Sequence, residues 1–249
     1  MSAPTTPPVP RPSTTVLLVR DAPGGLEVLM VTRHEKTHFS SAMVFPGGVI
    51  DPEDADEAWL DLTEGGEGLD VEERARCIAG FRELYEETGI LLLGPDGQSE
   101  ATSSAEPFRD LVQRSGARLD LGAMAPFANW ITPERAPKRF DVHFRLCWTR
   151  TEVEPVHDGR EVVAAEWLRP DEAIALGDAG ERVLLLPTRC QLELLGKSRT
   201  VEEAVAEARS RKISALTPQF ERRPEGLFAL LPADSGYPIL ERPIPRGGA

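Results

Sequence analysis

The sequence predicts a mixed α/β fold, because segments with the pattern of strands alternate with segments with the pattern of helices. The runs "TTVLLVR" and "LEVLMVTR" are apolar and β-branched, and they flank the glycine-containing turn "DAPGG", which is typical of a hairpin. A helical segment follows from about Asp70 to Gly89. With 249 residues, 41% of them hydrophobic, the chain is long enough for one large domain, or for one domain with an added subdomain.

The next elements lead into and out of the central helix. The stretch "AMVFPGGVID" predicts a third strand that ends in a double-glycine turn at Gly47 and Gly48. Residues 51–70 are acidic, contain three glycines and have little periodicity, so they predict an exposed loop whose residues 55–69 form a mobile flap. Asp70 is the expected N-cap of the helix, and Gly89 is the expected C-terminal cap.

The second half of the chain continues the alternation. "ILLLG" predicts a strand and "EPFRDLVQRSGARL" a short amphipathic helix, and three further strands are expected in "LGAMAPFANWITP", "RFDVHFRLCWTR" and "EVVAAEWLRP". "PTRCQLELLGK" and "TVEEAVAEARSRK" predict two helices, the second opened by a capping box of Thr200 and Glu203. Residues 1–14 are rich in proline and predict a disordered tail.

Charge and cysteine content exclude several classes of function. The net charge of −13 opposes a general surface for nucleic acid or for an anionic membrane, so we expect neither as a partner. An anionic substrate would therefore need local positive charge at its binding site, from metal ions or from a few arginines. The three cysteines are widely spaced, which argues against a disulfide framework or a zinc site. No segment resembles a signal peptide or a membrane span, and a cytoplasmic location is the simplest expectation.

The stretch "RELYEETGI" places three glutamates on one helical face. At about 100° per residue, Glu83, Glu86 and Glu87 fall within roughly 100° of each other, opposite the apolar stripe. Like charges at this spacing repel each other, so the cluster is either a solvated acidic face or a site for a hard cation with oxygen ligands. The glutamates alone do not decide between these two interpretations.

The surrounding motif favours the cation site. After "FPGG", the chain resembles the Nudix hydrolase superfamily, whose box runs Gly, five residues, Glu, seven residues, then Arg-Glu-apolar-x-Glu-Glu-x-Gly-apolar. The second half of that box is matched at every fixed position, namely Arg82, Glu83, Leu84, Glu86, Glu87, Gly89 and Ile90. The resemblance implies a Nudix α/β/α sandwich with a mixed sheet over residues 15–195, plus a C-terminal helical extension over residues 196–249.

The first half of the box departs from the family pattern. Five residues after Gly48 comes Asp54, an aspartate where the family has glutamate. Residues 55–81 then separate Asp54 from Arg82, which is 27 residues instead of seven and therefore an insertion of 20. This insertion leaves the helix intact and the role of Asp54 open.

By the resemblance, Glu83, Glu86 and Glu87 hold one or more Mg²⁺ or Mn²⁺ ions, and Arg82 fixes the rotamer of a neighbouring glutamate. The reaction is then hydrolysis of a nucleoside diphosphate linked to another group, with a small-molecule nucleotide as the substrate. The general base is expected to be Glu83, or Glu161 in the later polar loop "EPVHDGREV". A homodimer is compatible with the resemblance.

The substrate is indicated by weaker motifs. "FANWITPERAPKRFDVHF" and the long insertion resemble the branch of CoA and acyl-CoA diphosphatases, and the 3′-phosphate of CoA requires a cation such as an arginine. The candidate residues for binding phosphate or adenine are Arg33, Arg135, Lys138, Arg139, Trp130 and Phe140. Trp130 and Phe140 also have the pattern of core residues. Two alternatives stay open here, which are a hydrolase of ADP-ribose or a nucleotide sugar and a catalytically silent Nudix binding module.

Overall fold

The computed structural model of the protein describes residues 7–33, 42–94, 98–101, 106–156 and 162–244. The described helices are α1 (Val71–Thr88), α2 (Phe108–Ser115), α3 (Pro170–Asp178), α4 (Leu186–Leu195) and α5 (Val201–Ser210). Short 3-10 helices span Pro52–Ala55, Glu57–Leu62 and Leu121–Ala123. None of the helices in these ranges is long and apolar enough to cross a membrane.

The described strands alternate with these helices, as the sequence predicts. They are β1 (Arg11–Ala22), β2 (Gly25–Arg33), β3 (Ala42–Val44), β4 (Gly47–Val49), β5 (Thr63–Glu64), β6 (Ile90–Leu93), β7 (Gln98–Ala101), β8 (Leu119–Asp120), β9 (Ala125–Ile131), β10 (Phe140–Trp148), β11 (Val162–Leu168), β12 (Val183–Leu184), β13 (Ala215–Leu216), β14 (Gln219–Arg223), β15 (Gly226–Leu230) and β16 (Glu241–Ile244). The third predicted strand is divided in two, since β3 ends at Val44 and β4 begins at Gly47.

The main sheet is mixed, with β1 at its centre. Its strand order is β12-β3-β2-β1-β10-β9-β13, while β11 also pairs with β2 and β4 with β1. β1 and β2 form the predicted antiparallel hairpin, and β1 pairs with β10 in parallel. β1 begins at Arg11, so the predicted boundary at residue 15 falls inside a strand and residues 11–14 belong to the sheet.

Both faces of this sheet are covered, which gives the α/β/α sandwich. On one face, Val16 and Leu18 of β1 pack with Ile78, Phe81 and Leu84 of α1. On the other face, Leu17 and Val19 lie in a second core that contains residues of α4 and α5, including Leu192, Leu195, Ala204 and Ala208. A strand buried on both sides requires a nearly continuous apolar run, and this explains the sequence "TTVLLVR".

Helix α1 begins and ends where its caps predict. The Asp70 side chain accepts a hydrogen bond from Glu73 N, and Gly89 closes the helix with φ = 67°, a left-handed conformation that favours glycine. In α5, Thr200 Oγ1 accepts from Glu203 N as predicted, but the Glu203 carboxylate accepts from Arg199 N, one residue before the cap. The predicted capping box is therefore half formed.

The C-terminal extension is only partly helical, which corrects the predicted helical extension. Helix α5 is followed by β13, which pairs with β9 and so joins the main sheet. Strands β14, β15 and β16 then form a separate antiparallel sheet. The extension continues the main domain, because residues such as Ala204 and Tyr237 lie in the same core as β1.

The insertion is anchored in the core by Trp59, which corrects the prediction of a flap outside it. Trp59 is 4% exposed, and its Nε1 donates to Glu53 O at 3.0 Å. Its ring centroid is 5.7 Å from that of Phe108 in α2, which is in turn 5.7 Å from that of Tyr85 in α1. This aromatic chain fixes the inserted segment to two helices.

We expect Trp59→Ala to lower the free energy of unfolding by about 3 to 5 kcal/mol, because it removes a large buried ring and leaves a cavity. Leu60 is the matched control: it lies in the same 3-10 helix but is 52% exposed, and Leu60→Ala should change stability by about 0.5 kcal/mol or less. Denaturant unfolding measures both variants. Equal effects of the two substitutions would restore the interpretation of residues 55–69 as a flap.

Candidate active site

The double-glycine turn lies directly against α1. A Cβ atom on Gly48 would lie 2.4 Å from Glu83 Oε1, a distance that only the absence of a side chain permits. Gly47 has φ = 155°, and a Cβ there would lie 2.4 Å from Thr14 O in β1. Close packing against the backbone of β1 therefore requires Gly47, while Gly48 leaves room for the Glu83 carboxylate in its present position.

Arg82 hydrogen-bonds to three carboxylates and one backbone carbonyl of the site. Its Nε and Nη2 donate to the two carboxylate oxygens of Asp54, each at 2.9 Å, and Nη2 also donates to Val49 O at 3.0 Å. Nη1 donates to Glu83 at 2.8 Å and to Glu86 at 3.1 Å. Burial acts to lower the pKa of Arg82, but the hydrogen-bonded Asp54 and the nearby glutamates raise it overall, so the guanidinium stays charged.

Asp54 therefore has a positioning role that the sequence left open. It is 2% exposed, and besides Arg82 it accepts a hydrogen bond from Asp51 N at 2.9 Å. The bidentate geometry matches the planar guanidinium fork. The insertion of 20 residues follows Asp54, and the contact between Asp54 and Arg82 is made nonetheless.

Glu87 is held from the other side of the turn. It is 5% exposed, and its Oε2 accepts from Gly47 N at 3.0 Å. Arg33 Nη2 lies 3.6 Å from Glu87 Oε1 and donates to Gly47 O at 2.8 Å. Arg33, predicted to bind substrate, thus lies within the site and supports both the turn and this carboxylate.

The three glutamates do not form a solvated acidic face. The Glu87 side chain is buried and the Glu83 side chain is nearly so, while the Glu86 side chain is about half exposed. Burial raises the pKa of Glu86; Arg82 opposes this rise, and Asp54 and Asp51 add to it. Burial is the largest cause, so the charged form of Glu86 is poorly solvated, and a cation beside it would stabilise that form.

The donor chemistry of this face fits a hard divalent cation, since carboxylate oxygens from adjacent turns of one rigid helix are its preferred ligands. Within the described ranges, no three acidic, histidine or cysteine side chains are already arranged as a cation site. The glutamates are instead oriented by Arg82, by Gly47 N and by Arg33.

The other predicted site residues lie in different surroundings. Glu161, with the neighbouring His157 and Asp158, lies outside the described residues. Trp130 is 3% exposed and its Nε1 donates to Tyr237 at 2.8 Å, so it belongs to the core and has no accessible face for an adenine, which corrects that prediction. Phe140 is half-buried at the start of β10, where it pairs with Arg11 of β1.

Arg139 lies beside Phe140 at this same end of the sheet. Its Nε donates to Thr132 O and its Nη1 to Pro8 O, both at 3.0 Å. Two strand positions further along β1, Ser13 pairs with Val49 of the glycine turn. Arg33 thus contacts a glutamate of the site, whereas Arg139 and Phe140 lie on the opposite side of β1 from β4.

Arg82, the three glutamates and the glycine turn together define a hydrolase of the Nudix class in three dimensions. A NUDIX domain model matches residues 9–186, so the chain belongs to the Nudix family and is a Nudix hydrolase. The fold agrees: a NUDIX hydrolase from Alicyclobacillus acidocaldarius superposes with a TM-score of 0.66 at 28% identity, over 80% of this chain and 96% of that one.

Curated relatives are similar over much of the chain. The acyl-coenzyme A diphosphatase NUDT19 of Gallus gallus is 27% identical over an alignment that covers 92% of this chain and 80% of the relative. The Homo sapiens protein of the same name is 29% identical over 66% of this chain, and the match covers 59% of that protein. These relatives support hydrolysis of a diphosphate bond by this chain.

We expect Asp54→Asn to lower the free energy of unfolding by about 3 kcal/mol, because it leaves the partly buried guanidinium of Arg82 without its main counter-charge. Asp51→Asn is the control: the Asp51 carboxylate is more than half exposed and lies 3.6 Å from the same guanidinium, so its loss should cost less than about 1 kcal/mol. Chemical denaturation of both variants tests this. If they are equally stable, Asp54 does not hold Arg82 in the way inferred above.

Proposed function

We propose that the chain is a metal-dependent diphosphatase of CoA or acyl-CoA, which yields 3′,5′-ADP and 4′-phosphopantetheine or its acyl derivative. The observation that carries the chemistry is the set of three glutamates oriented on one helical face beside a glycine turn. The Gallus gallus relative is named an acyl-coenzyme A diphosphatase, and its alignment covers 92% of this chain, which supports the choice of substrate.

In this proposal Glu83, Glu86 and Glu87 hold Mg²⁺ or Mn²⁺. When bound, the cation neutralises charge on the diphosphate and lowers the pKa of a bound water. Arg82 holds Glu83 and Glu86 in their rotamers through hydrogen bonds of 2.8 and 3.1 Å, and Gly47 N holds Glu87. Glu83 or Glu161 accepts a proton from the attacking water, whose oxygen bonds to phosphorus as the bridging oxygen leaves.

The acidic composition shapes how an anionic substrate is bound. With a net charge of −13, the chain repels a diphosphate at long range, so the cation and nearby arginines must supply attraction locally. Arg33 lies within the site, and Arg139 lies on the opposite side of β1 from the glycine turn. Backbone carbonyls engage two of the five N–H donors of Arg139, which leaves the other donors for a phosphate.

The expected cytoplasmic location and homodimer stay predictions. Cell fractionation tests the location, and sedimentation equilibrium tests the oligomeric state.

We expect Glu86→Gln and Glu87→Gln each to lose most activity with Mg²⁺ or Mn²⁺, because each removes a charge from the cation site but keeps the shape of the side chain. Glu72→Gln is the control, since Glu72 lies on the same helix, is exposed and pairs with Arg76. Its turnover should equal that of the wild type, and circular dichroism should show all three variants folded. If the wild type turns over equally fast with and without excess chelator, the proposed metal dependence is contradicted.

The substrate is tested by comparing CoA with dephospho-CoA, which lacks only the 3′-phosphate. A charge-assisted contact from Arg139 is worth roughly 1.5 to 3 kcal/mol, so kcat/KM should fall about tenfold to a hundredfold for dephospho-CoA. Arg139→Ala should erase this difference, while Arg135→Ala, a change at an exposed arginine nearby, serves as the comparison. Faster cleavage of ADP-ribose than of CoA, with no effect of the 3′-phosphate, would favour the ADP-ribose or nucleotide-sugar alternative.

A further inference from the structure

A polar cavity lies away from the three glutamates, between the C-terminal extension and strand β9. Its volume is about 100 Å³, and its wall includes Phe127 and Asn129 of β9, Arg211 and Lys212 after α5, and Ser235 and Tyr237 in the loop before β16. None of these residues has a role in the site described above. The cavity therefore needs its own explanation.

The Arg211 guanidinium is the main charged group in this wall. Its carbon lies 5.7 Å from the centroid of the Phe127 ring and 5.9 Å from that of Tyr237, so the two rings hold it in place. Arg211 Nη1 is buried, and within the described part of the chain it has no hydrogen-bond partner. A buried guanidinium nitrogen without an acceptor costs free energy, so this group favours a ligand that supplies one.

Ser235 adds a second donor at the same cavity. Its Oγ is buried and has no hydrogen-bond partner among the residues described. Two other polar groups of the wall are already engaged: the Tyr237 hydroxyl accepts from Trp130 and donates to Gln191, and the Asn129 amide donates to Asp141 at 2.6 Å. Asp234 also lines the cavity, but it is exposed, so water solvates its carboxylate. A buried donor without a partner costs free energy, and a charged one costs more, so a ligand that accepts from both groups would be stabilised here.

The register of the sheet gives the distance from this cavity to the glycine turn. In one transverse row, Gly48 pairs with Thr14, Thr14 with His143, His143 with Asn129, and Asn129 with Ala215. Neighbouring strands are about 4.8 Å apart, so Ala215 at the cavity lies roughly 19 Å from Gly48. The cavity is thus a separate site on the same sheet.

We propose that this cavity binds a phosphate-type oxyanion, with Arg211 Nη1 and Ser235 Oγ as donors and Lys212 adding positive charge at the rim. An oxyanion accepts several hydrogen bonds at once and pairs strongly with a guanidinium. Its source is either a free anion or a phosphate group of a nucleotide. The binding itself does not depend on the function proposed above.

Calorimetric titration of the full chain with inorganic phosphate tests the site. Chelator keeps divalent cations from drawing phosphate to the glutamates, and chloride keeps the ionic strength constant. We expect one phosphate per chain. Arg211→Gln should weaken binding about tenfold to a hundredfold, since it removes a charge-assisted hydrogen bond. Ser235→Ala removes a neutral one and should weaken binding about two- to tenfold.

Arg209→Gln is the matched control. Arg209 lies on α5 two residues away, and its guanidinium is over the Trp148 ring at 5.8 Å, outside this cavity. The Arg209→Gln variant should bind phosphate with the same affinity as the wild type. The proposal is overturned if the wild type does not bind phosphate. It is also overturned if the wild type and all three variants bind phosphate equally weakly, because water could then satisfy the buried donors and surface cations would account for the weak binding. Ser235→Ala keeps the test decisive if Arg211→Gln does not fold.

The source of the anion is tested separately with the active enzyme. If a phosphate group of the substrate occupies the cavity, Arg211→Gln should raise KM and free phosphate should compete with substrate. If the ligand is a free anion, KM should be the same in Arg211→Gln and the wild type. Both results uphold the cavity as an oxyanion site and identify its occupant, and neither depends on whether CoA is the substrate.

Discussion

The bidentate ion pair between Arg82 and Asp54 is the contact on which the candidate active site depends. It joins the helix to the turn that follows β4, and through Val49 O it also joins the helix to the sheet. The same guanidinium then orients two of the three glutamates. A single partly buried cation thus sets the spacing between strand, turn and helix, and it offsets repulsion that the glutamates would otherwise impose on α1.

Arginines have two separate uses in this acidic protein. Arg82 and Arg33 hold carboxylates and a backbone carbonyl in place, so much of their hydrogen-bonding capacity is used within the chain. Arg139 contacts only backbone carbonyls among the described residues, and Arg211 has a buried nitrogen with no described partner. The net charge of −13 meanwhile disfavours nonspecific binding of polyanions to the surface as a whole.

Local sequence signals predicted the parts of the fold that local chemistry determines. The caps at Asp70 and Gly89 fix the ends of α1. The Nudix box predicts that α1 carries the candidate active site, and its residues are neighbours in the sequence. The burial of Trp59 depends on Phe108, which is distant in sequence, so composition alone suggested an exposed loop. The hairpin of β14 and β15 was missed, although the turn before Gly226 could have indicated it. The sequence left Trp130 open between substrate binding and the core, and its buried contact with Tyr237, in the far C-terminal segment, decides for the core.

The parallel pairing of β1 with β10 has a consequence for how the chain acquires its fold. Partners such as Thr14 and His143 are 129 residues apart, whereas β1 and β2 meet across a tight turn. The hairpin can form early on the ribosome, but its apolar central strand lacks a neighbour along one edge until residue 148 has been synthesised. Long-range pairing of this kind slows folding and leaves an unpaired strand edge in the nascent chain, where another chain can pair with it. The central strand that organises the native protein is therefore also its main aggregation risk during synthesis.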